Sequence, residues 1–364
     1  MRGKGIHYDT GTFPNGDTSR PLFDADAVAR DMQVMAEDLH CTAIRITGGD
    51  PDRIETTARH AAAVGLEVWF SPFPCEMTDE QMLPYFADCA ERAERLRHDG
   101  AEVVLVTGCE LSLFARGYLP GDTFNERIPV LVGPDREAAL RAIPQKVNAF
   151  LGDVVRTVRP LFAGPVSYAS CPLDGVDWSP FGIIGLDAFR GLRNAATYRD
   201  DLRKEFAHGK PVAIMEVGCC TLRGAGDYGG SGWYMAMEPD GVTLKRDLVR
   251  DENEQVHYID DLMPIFEEEG VDSVFWFSFA GYGTPTDCPD RTPTSLPTAS
   301  SRSSTSTATT QRTRVPTRTC PGNPRRPSTP WPTATRPSSS KEPLTSSNSC
   351  CWDAFAVHRP SDRW

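Results

Sequence analysis

The 364-residue sequence has no Cys-x-x-Cys pair, and its eleven cysteines are scattered and odd in number. That pattern excludes a zinc ribbon and argues against a disulfide framework, so a reducing cytoplasm is the expected compartment. No apolar run approaches the roughly 18 residues of a membrane helix, so no membrane is expected as a partner. The opening MRGKGIHYDTG lacks the apolar stretch and cleavage site of a secretion signal. Phosphate-cradling loops are missing too. The first apolar segment runs into HYDTGTFPNG, without Gly-x-Gly-x-x-Gly or Gly-Lys-Ser/Thr, which weighs against an open doubly wound nucleotide-binding sheet.

Basic charge is scarce in most of the chain. The net charge is −12, yet from Arg291 onward there are 11 Arg and Lys against 3 Asp and Glu. The first 290 residues therefore carry 27 basic and 47 acidic side chains. A body that acidic excludes nucleic acid, because phosphate binding needs clustered Lys and Arg.

What is present is alternation. Short β-branched runs at Gly5–Asp9, Thr42–Thr47, Leu66–Pro72, Val103–Glu110, Gly164–Ala169, Ile183–Phe189, Pro211–Gly218 and Ser273–Phe279 read as eight strands. Helical periodicity separates most of them, over Asp24–Leu39, Asp52–Val64, Asp79–His98, Arg136–Val158, Asn194–Ala207 and Glu252–Glu269. Eight strands alternating with helices over about 280 residues predict an α/β fold, a (β/α)8 TIM barrel, spanning residues 1–285. Residues 286–364 form a separate segment. From Arg291 to Cys350 about three residues in five are Ser, Thr or Pro, a composition that predicts a disordered tail. The change is abrupt near Thr284. A reading-frame shift would produce it and would account for the missing eighth helix; a genuine linker-like tail has the same composition.

Two strands end on an acid. VVLVTGCE places Glu110, and PVAIMEVG places Glu216, where the C-terminal rim of a parallel barrel would be. Two carboxylates flanking a glycosidic bond can divide the labour, one protonating the leaving oxygen while the other attacks or activates water. Either acid alone could equally cap a loop or pair with an arginine. His7 on the first strand, Tyr168 on the fifth and Asp187 on the sixth would share the rim. Trp69 and the loop aromatics Phe114, Tyr118, Trp178, Tyr228, Trp233 and Tyr234 could stack on a sugar.

Glu at the end of strand four, Glu at the end of strand seven and Trp276 on strand eight together resemble the clan A glycoside hydrolases, the retaining (β/α)8 enzymes. The resemblance implies Glu110 as acid/base, Glu216 as nucleophile, Trp276 as a floor under the sugar, and Arg45 on strand two as the partner that keeps Glu216 ionised. It also implies a small-molecule glycoside or glycan as partner and no cofactor. The clan places Asn before its acid/base, and here Cys109 stands instead, which puts contact with the sugar 2-OH in doubt. Residues 1–285 also resemble actinobacterial barrel proteins, some labelled abortive-infection proteins. Two other readings stay open: a metal-dependent sugar isomerase or lyase with Glu110, Asp187, Glu216 and His7 around Mg²⁺ or Mn²⁺, and a carbohydrate-binding or defence barrel without turnover.

Overall fold

The computed structural model describes residues 1–280 except 13, 15, 17, 233, 239–244 and 246. The expected tail and its boundary at 285 lie outside the described residues.

The eight strands are β1 (Gly3–Asp9), β2 (Ala43–Gly48), β3 (Glu67–Pro72), β4 (Val103–Cys109), β5 (Val166–Ala169), β6 (Ile184–Asp187), β7 (Val212–Val217) and β8 (Ser273–Trp276). All paired strands run parallel, in the order β5-β4-β3-β2-β1-β8-β7-β6. A parallel bridge between Ser170 and Leu186 joins the two ends, with the Ser170 N–H on Gly185 O at 3.0 Å, and nearly closes the barrel. Strands buried on both faces favour apolar residues on both, and β4 accordingly reads VVLVTGC without a charge.

The helices are α1 (Ala25–Gln33), α2 (Pro51–Ala63), α3 (Asp79–His98), α4 (Leu111–Phe114), α5 (Phe124–Arg127), α6 (Arg136–Arg141), α7 (Ile143–Val158), α8 (Tyr198–Glu205) and α9 (Asn253–Glu269). The single helix expected over 136–158 is two, α6 ending at Arg141 and α7 starting at Ile143 with Pro144 in its first turn, where a missing N–H leaves no bond unmade. Among the described residues no helix covers the β5–β6 connection, where Trp178 packs edge-on against Phe181.

Inward and outward residues alternate, as the pleat requires. Ala43, Trp69, Val104, Ala213 and Phe275 fill the barrel interior, with Trp69 and Phe275 edge to face at 4.9 Å. Trp69 is thus part of the packed interior and does not offer a face to a ligand; its Nε1 donates to Glu67 Oε1 at 3.0 Å. Ile44, Val68, Leu105, Val166 and Ile214 point the other way, against the helices.

Alternation breaks at two places. Between β4 and β5 the register passes from Val106↔Ser167 to Cys109↔Ala169, three steps on β4 for two on β5. Between β6 and β7 it passes from Leu186↔Ile214 to Asp187↔Glu216, and β8 sees the same extra residue on β7. Each bulge reverses the parity of the residues after it. By strict alternation Cys109 and Glu216 would face the helices; the bulges turn both inward. Bulges are a common device for aiming a side chain at a functional site.

Candidate active site at the barrel mouth

Arg45 anchors the site. It projects from β2 into the barrel and is fully buried. Its Nη1 lies 2.8 Å from Glu216 Oε1, 3.1 Å from Met215 O and 3.7 Å from Asp187 Oδ1, while Nε donates to Ser71 Oγ at 3.2 Å. A buried cation requires such partners, because an unpaired one would carry a desolvation cost of several kcal/mol. Cys109 joins the same group. Its thiol is 3.5 Å from Asp187 Oδ2 and 3.7 Å from Glu216 Oε1.

Glu110 stands apart. It comes after the β4 bulge with a left-handed backbone, φ 43°, and its carboxylate has no hydrogen-bond partner or cation among the described residues. Burial pushes its pKa well above the ordinary carboxylate range, and the charges of Asp187 and Glu216 push the same way. Glu216 is also raised by burial, but Arg45 opposes the rise. Asp187 is raised well above its usual value, by burial first and Glu216 second, against Arg45. Three acids facing one guanidinium cannot all be ionised with ease, and Glu110 holds its proton with the least opposition from Arg45.

His7 lies beside Arg45 in the β1–β2 register, with Nε2 2.7 Å from Thr47 Oγ1. Burial and then the charge of Arg45 hold its pKa well below the ordinary value, so it is a neutral imidazole. The ring packs on Phe277 at 4.6 Å.

Arg45, Asp187, Glu216, His7 and Glu110 are thus gathered at one end of the barrel. Two expected residues are elsewhere. Trp276 is level with Ile6 in the register, on the outer face, and its ring meets Tyr258 of α9 edge-on at 6.1 Å. The aromatic that reaches the mouth is its neighbour Phe277, 37% exposed and flanked by His7 and Phe189. One step of parity separates the two, and nothing in WF says which residue turns inward.

Tyr168 also faces outward, fully buried against the helix layer. Its hydroxyl accepts the Leu111 N–H at 2.8 Å and donates to Asp174 Oδ2 at 2.9 Å. It therefore props the turn that carries Glu110 and does not touch the mouth. Asp174, which the sequence did not mark, is fully buried, and burial pushes its pKa up to about 6.

Phe114 and Tyr118 serve packing, Phe114 stacked on Phe124 at 5.0 Å and the Tyr118 hydroxyl donating to Asp79, whereas Tyr228 is exposed. Trp233 lies outside the described residues, as does the side chain of Tyr234. The four-ligand group of Glu110, Asp187, Glu216 and His7 is not what converges. The ligand atoms that lie within 4.8 Å of one another belong to Cys109, Asp187 and Glu216. Among the described residues no helix is long and apolar enough to cross a membrane.

No family model and no curated protein matches the chain. Solved structures do. The chain is similar to a GH113 β-1,4-mannanase, with a TM-score of 0.52 at 15% identity over 78% of this chain and 90% of that one. It is similar to the GH113 β-mannanase AaManA from Alicyclobacillus acidocaldarius, with a TM-score of 0.50 at 17% identity over 72% and 83%. It also resembles the β-glucuronidase of Ruminococcus gnavus, with a TM-score of 0.51 at 14% identity, covering 81% of this chain and 46% of that enzyme. At such identities the likeness is one of architecture, that of a (β/α)8 barrel.

Proposed function

We propose that this protein is a glycoside hydrolase that cleaves a glycoside or glycan by a two-carboxylate retaining mechanism. The observation that carries the reading is the unequal treatment of two acids at one barrel mouth. Glu216 is held by Arg45 at 2.8 Å, whereas Glu110 is buried without a cation of its own. A nucleophile must be ionised and a general acid must hold a proton, so a site that separates two carboxyls in this sense suits both tasks.

In that mechanism Glu110 gives its proton to the leaving-group oxygen as the glycosidic bond breaks. Glu216 attacks the anomeric carbon and forms a glycosyl ester. Glu110, now ionised, then takes a proton from water as the water attacks the anomeric carbon, and the bond from that carbon to Glu216 breaks to release the sugar and the carboxylate. Burial favours that reprotonation, because it disfavours the charged form of Glu110. Phe277 offers an exposed ring at the mouth on which a sugar face can rest. The fold likeness to a β-mannanase and a β-glucuronidase supports a sugar as the substrate class.

The test is Glu216→Gln against a panel of activated aryl glycosides. Wild type should release aglycone from at least one member, and the variant should lose that turnover by several orders of magnitude. Equal inertness of both across the panel overturns the reading.

A further inference from the structure

Glu110 takes its aim from its backbone, because no hydrogen bond fixes its carboxylate among the described residues. The main chain there is left-handed, φ 43° and ψ 48°. For a residue with a Cβ that conformation is strained, and it persists only where the surroundings hold it. We propose that Tyr168 and Asp174 are positioning residues for proton transfer, acting through the Leu111 N–H to keep Glu110 directed at the mouth. The proposal rests on the hydrolase reading of Glu110.

The hold begins one residue beyond the acid. α4 is a single turn, and the first N–H groups of any helix lack partners within it. The Tyr168 hydroxyl accepts the Leu111 N–H at 2.8 Å. Its own proton goes to Asp174 Oδ2 at 2.9 Å, and an ionised carboxylate can only accept, so the hydroxyl is oriented. Asp174 Oδ2 also accepts the Cys171 N–H at 3.3 Å, which ties the carboxylate to the chain just after β5. Tyr168 and Asp174 are both fully buried, where low dielectric strengthens such bonds.

Backbone contacts complete the frame. The Glu110 N–H donates to Ala169 O at 2.9 Å, and Glu110 O accepts from Leu113 N–H at 2.9 Å and Phe114 N–H at 3.1 Å. Arg127 then clamps the far end of the turn, with Nε on Leu113 O at 2.7 Å and Nη2 on Phe114 O at 3.2 Å. Among these contacts the Tyr168 bond is made by one oxygen atom of a side chain. Tyr168→Phe therefore removes it and leaves the ring packing in place.

Asp174 also acts by charge. Glu110 faces the acids Asp187, Glu216 and Asp174, the cation Arg45 and the thiols of Cys109 and Cys171. Asp174 faces Tyr168, Tyr118, Cys171, Asp187 and Glu110. Burial is the main reason the Glu110 pKa is high, and the charge of Asp174 adds to it after those of Asp187 and Glu216. Asp174→Asn removes that charge and keeps an acceptor for Tyr168. The high-pH limb of the rate should then move to lower pH, while kcat at the optimum is kept.

The experiment uses the full chain with aryl glycosides of graded leaving-group ability. Tyr168→Phe should lower kcat by up to about 10²-fold on the poorest leaving group, the loss that a small misplacement brings, and leave KM unchanged. The loss should fade with activated leaving groups and vanish in a Glu110→Gln background, where the residue it acts through is gone. Tyr8→Phe is the control. It deletes an equally short bond, to Asp31 Oδ2 at 2.7 Å, and should show no dependence on the leaving group. A loss independent of the leaving group, an equal loss in the Glu110→Gln background, or an unmoved pH limb in Asp174→Asn overturns the proposal. If Tyr168→Phe does not fold, the Asp174→Asn limb decides. A wild type inert toward every glycoside sinks the hydrolase reading instead. The hold is then read without turnover, from the infrared carbonyl band of protonated Glu110, assigned by its loss in Glu110→Gln. That band should shift in Tyr168→Phe, and an unshifted band shows that Tyr168 does not position Glu110.

Discussion

Arg45 and Glu216, 171 positions apart in the chain, meet at 2.8 Å across the inside of the barrel. Their strands, β2 and β7, are not neighbours; β1 and β8 stand between them. The guanidinium therefore reaches over the interior, where it is fully buried.

Replacing Arg45 with Met keeps much of the volume and removes the charge. Asp187 and Glu216 then stand buried without a cation, a loss of about 3–5 kcal/mol by analogy with other broken buried pairs. Urea denaturation at pH 7 measures it. The deficit should shrink at lower pH, where the orphaned carboxyls are protonated, and Glu216→Gln added to the Arg45 variant should restore part of it. A loss below about 1 kcal/mol would mean that the pair is not formed.

Glu110→Gln tests the acid/base role separately. General acid catalysis contributes about 10²–10⁴-fold, so kcat/KM on a substrate with a poor leaving group should fall by that much. The fall should be much smaller with an activated aryl leaving group, which needs little protonation. Because burial raises the Glu110 pKa, the wild-type rate should decline as pH rises through that raised value, and the variant should lack this limb.

Asp174 gives stability a pH dependence of defined sign. Its pKa is about 6 in the fold against 3.8 for the free side chain, so the folded state binds the proton more tightly. The stabilising contribution is complete below pH 3.8 and is lost as pH rises to about 6. At about 1.4 kcal/mol per unit, the loss is at most about 3 kcal/mol. Asp174→Asn keeps an acceptor for Tyr168 and cannot ionise. Unfolding free energies at pH 4 and pH 6.5 should differ less in this variant than in wild type, and an equal difference would contradict the assignment.

Much of this site could be read from the chain. Acids closing the apolar runs VVLVTGCE and PVAIMEVG mark Glu110 and Glu216 because a charge at the end of a buried strand has to go to the rim. What could not be read is parity. A bulge inserts one residue without altering composition, and β7 carries no glycine at the insertion. Tyr168 and Trp276 follow a plain period of two, outward with Val166 and Val274, and Phe277 keeps the parity of Phe275; what the sequence lacks is which parity faces inward when both faces of a strand are apolar. Asp174 was invisible for another reason: its role comes from Tyr168, which reaches it only after the β5–β6 loop folds back.

Phe277→Ala separates platform from scaffold. The ring is partly exposed, so its removal should leave the melting temperature within a few degrees of wild type. Contact with substrate should be lost: a stacking energy of about 0.5–1.5 kcal/mol corresponds to a rise in KM of about two- to twelvefold. The matching Trp276→Phe change lies behind the strand wall and should leave KM alone. If the Trp276 variant raises KM and the Phe277 variant does not, the two residues have been assigned to the wrong faces.

Gly108 is where the β4 bulge can be tested directly. Its φ of 106° is one that residues with a Cβ rarely adopt, and an added Cβ would lie 3.2 Å from Leu111 Cδ2 and 3.3 Å from Phe86 Cζ. Backbone strain of this kind costs about 1–3 kcal/mol. Gly108→Ala can relieve it only by straightening the strand, and a straightened strand turns Cys109 outward and moves Glu110 with it. The variant should therefore lose more activity than its stability explains: it should remain folded by circular dichroism at 25 °C, yet show a depressed kcat with every aryl glycoside tested. Full activity in Gly108→Ala would show that the aim of Glu110 does not depend on the bulge, and that the inward turn of β4 comes from packing further along the chain.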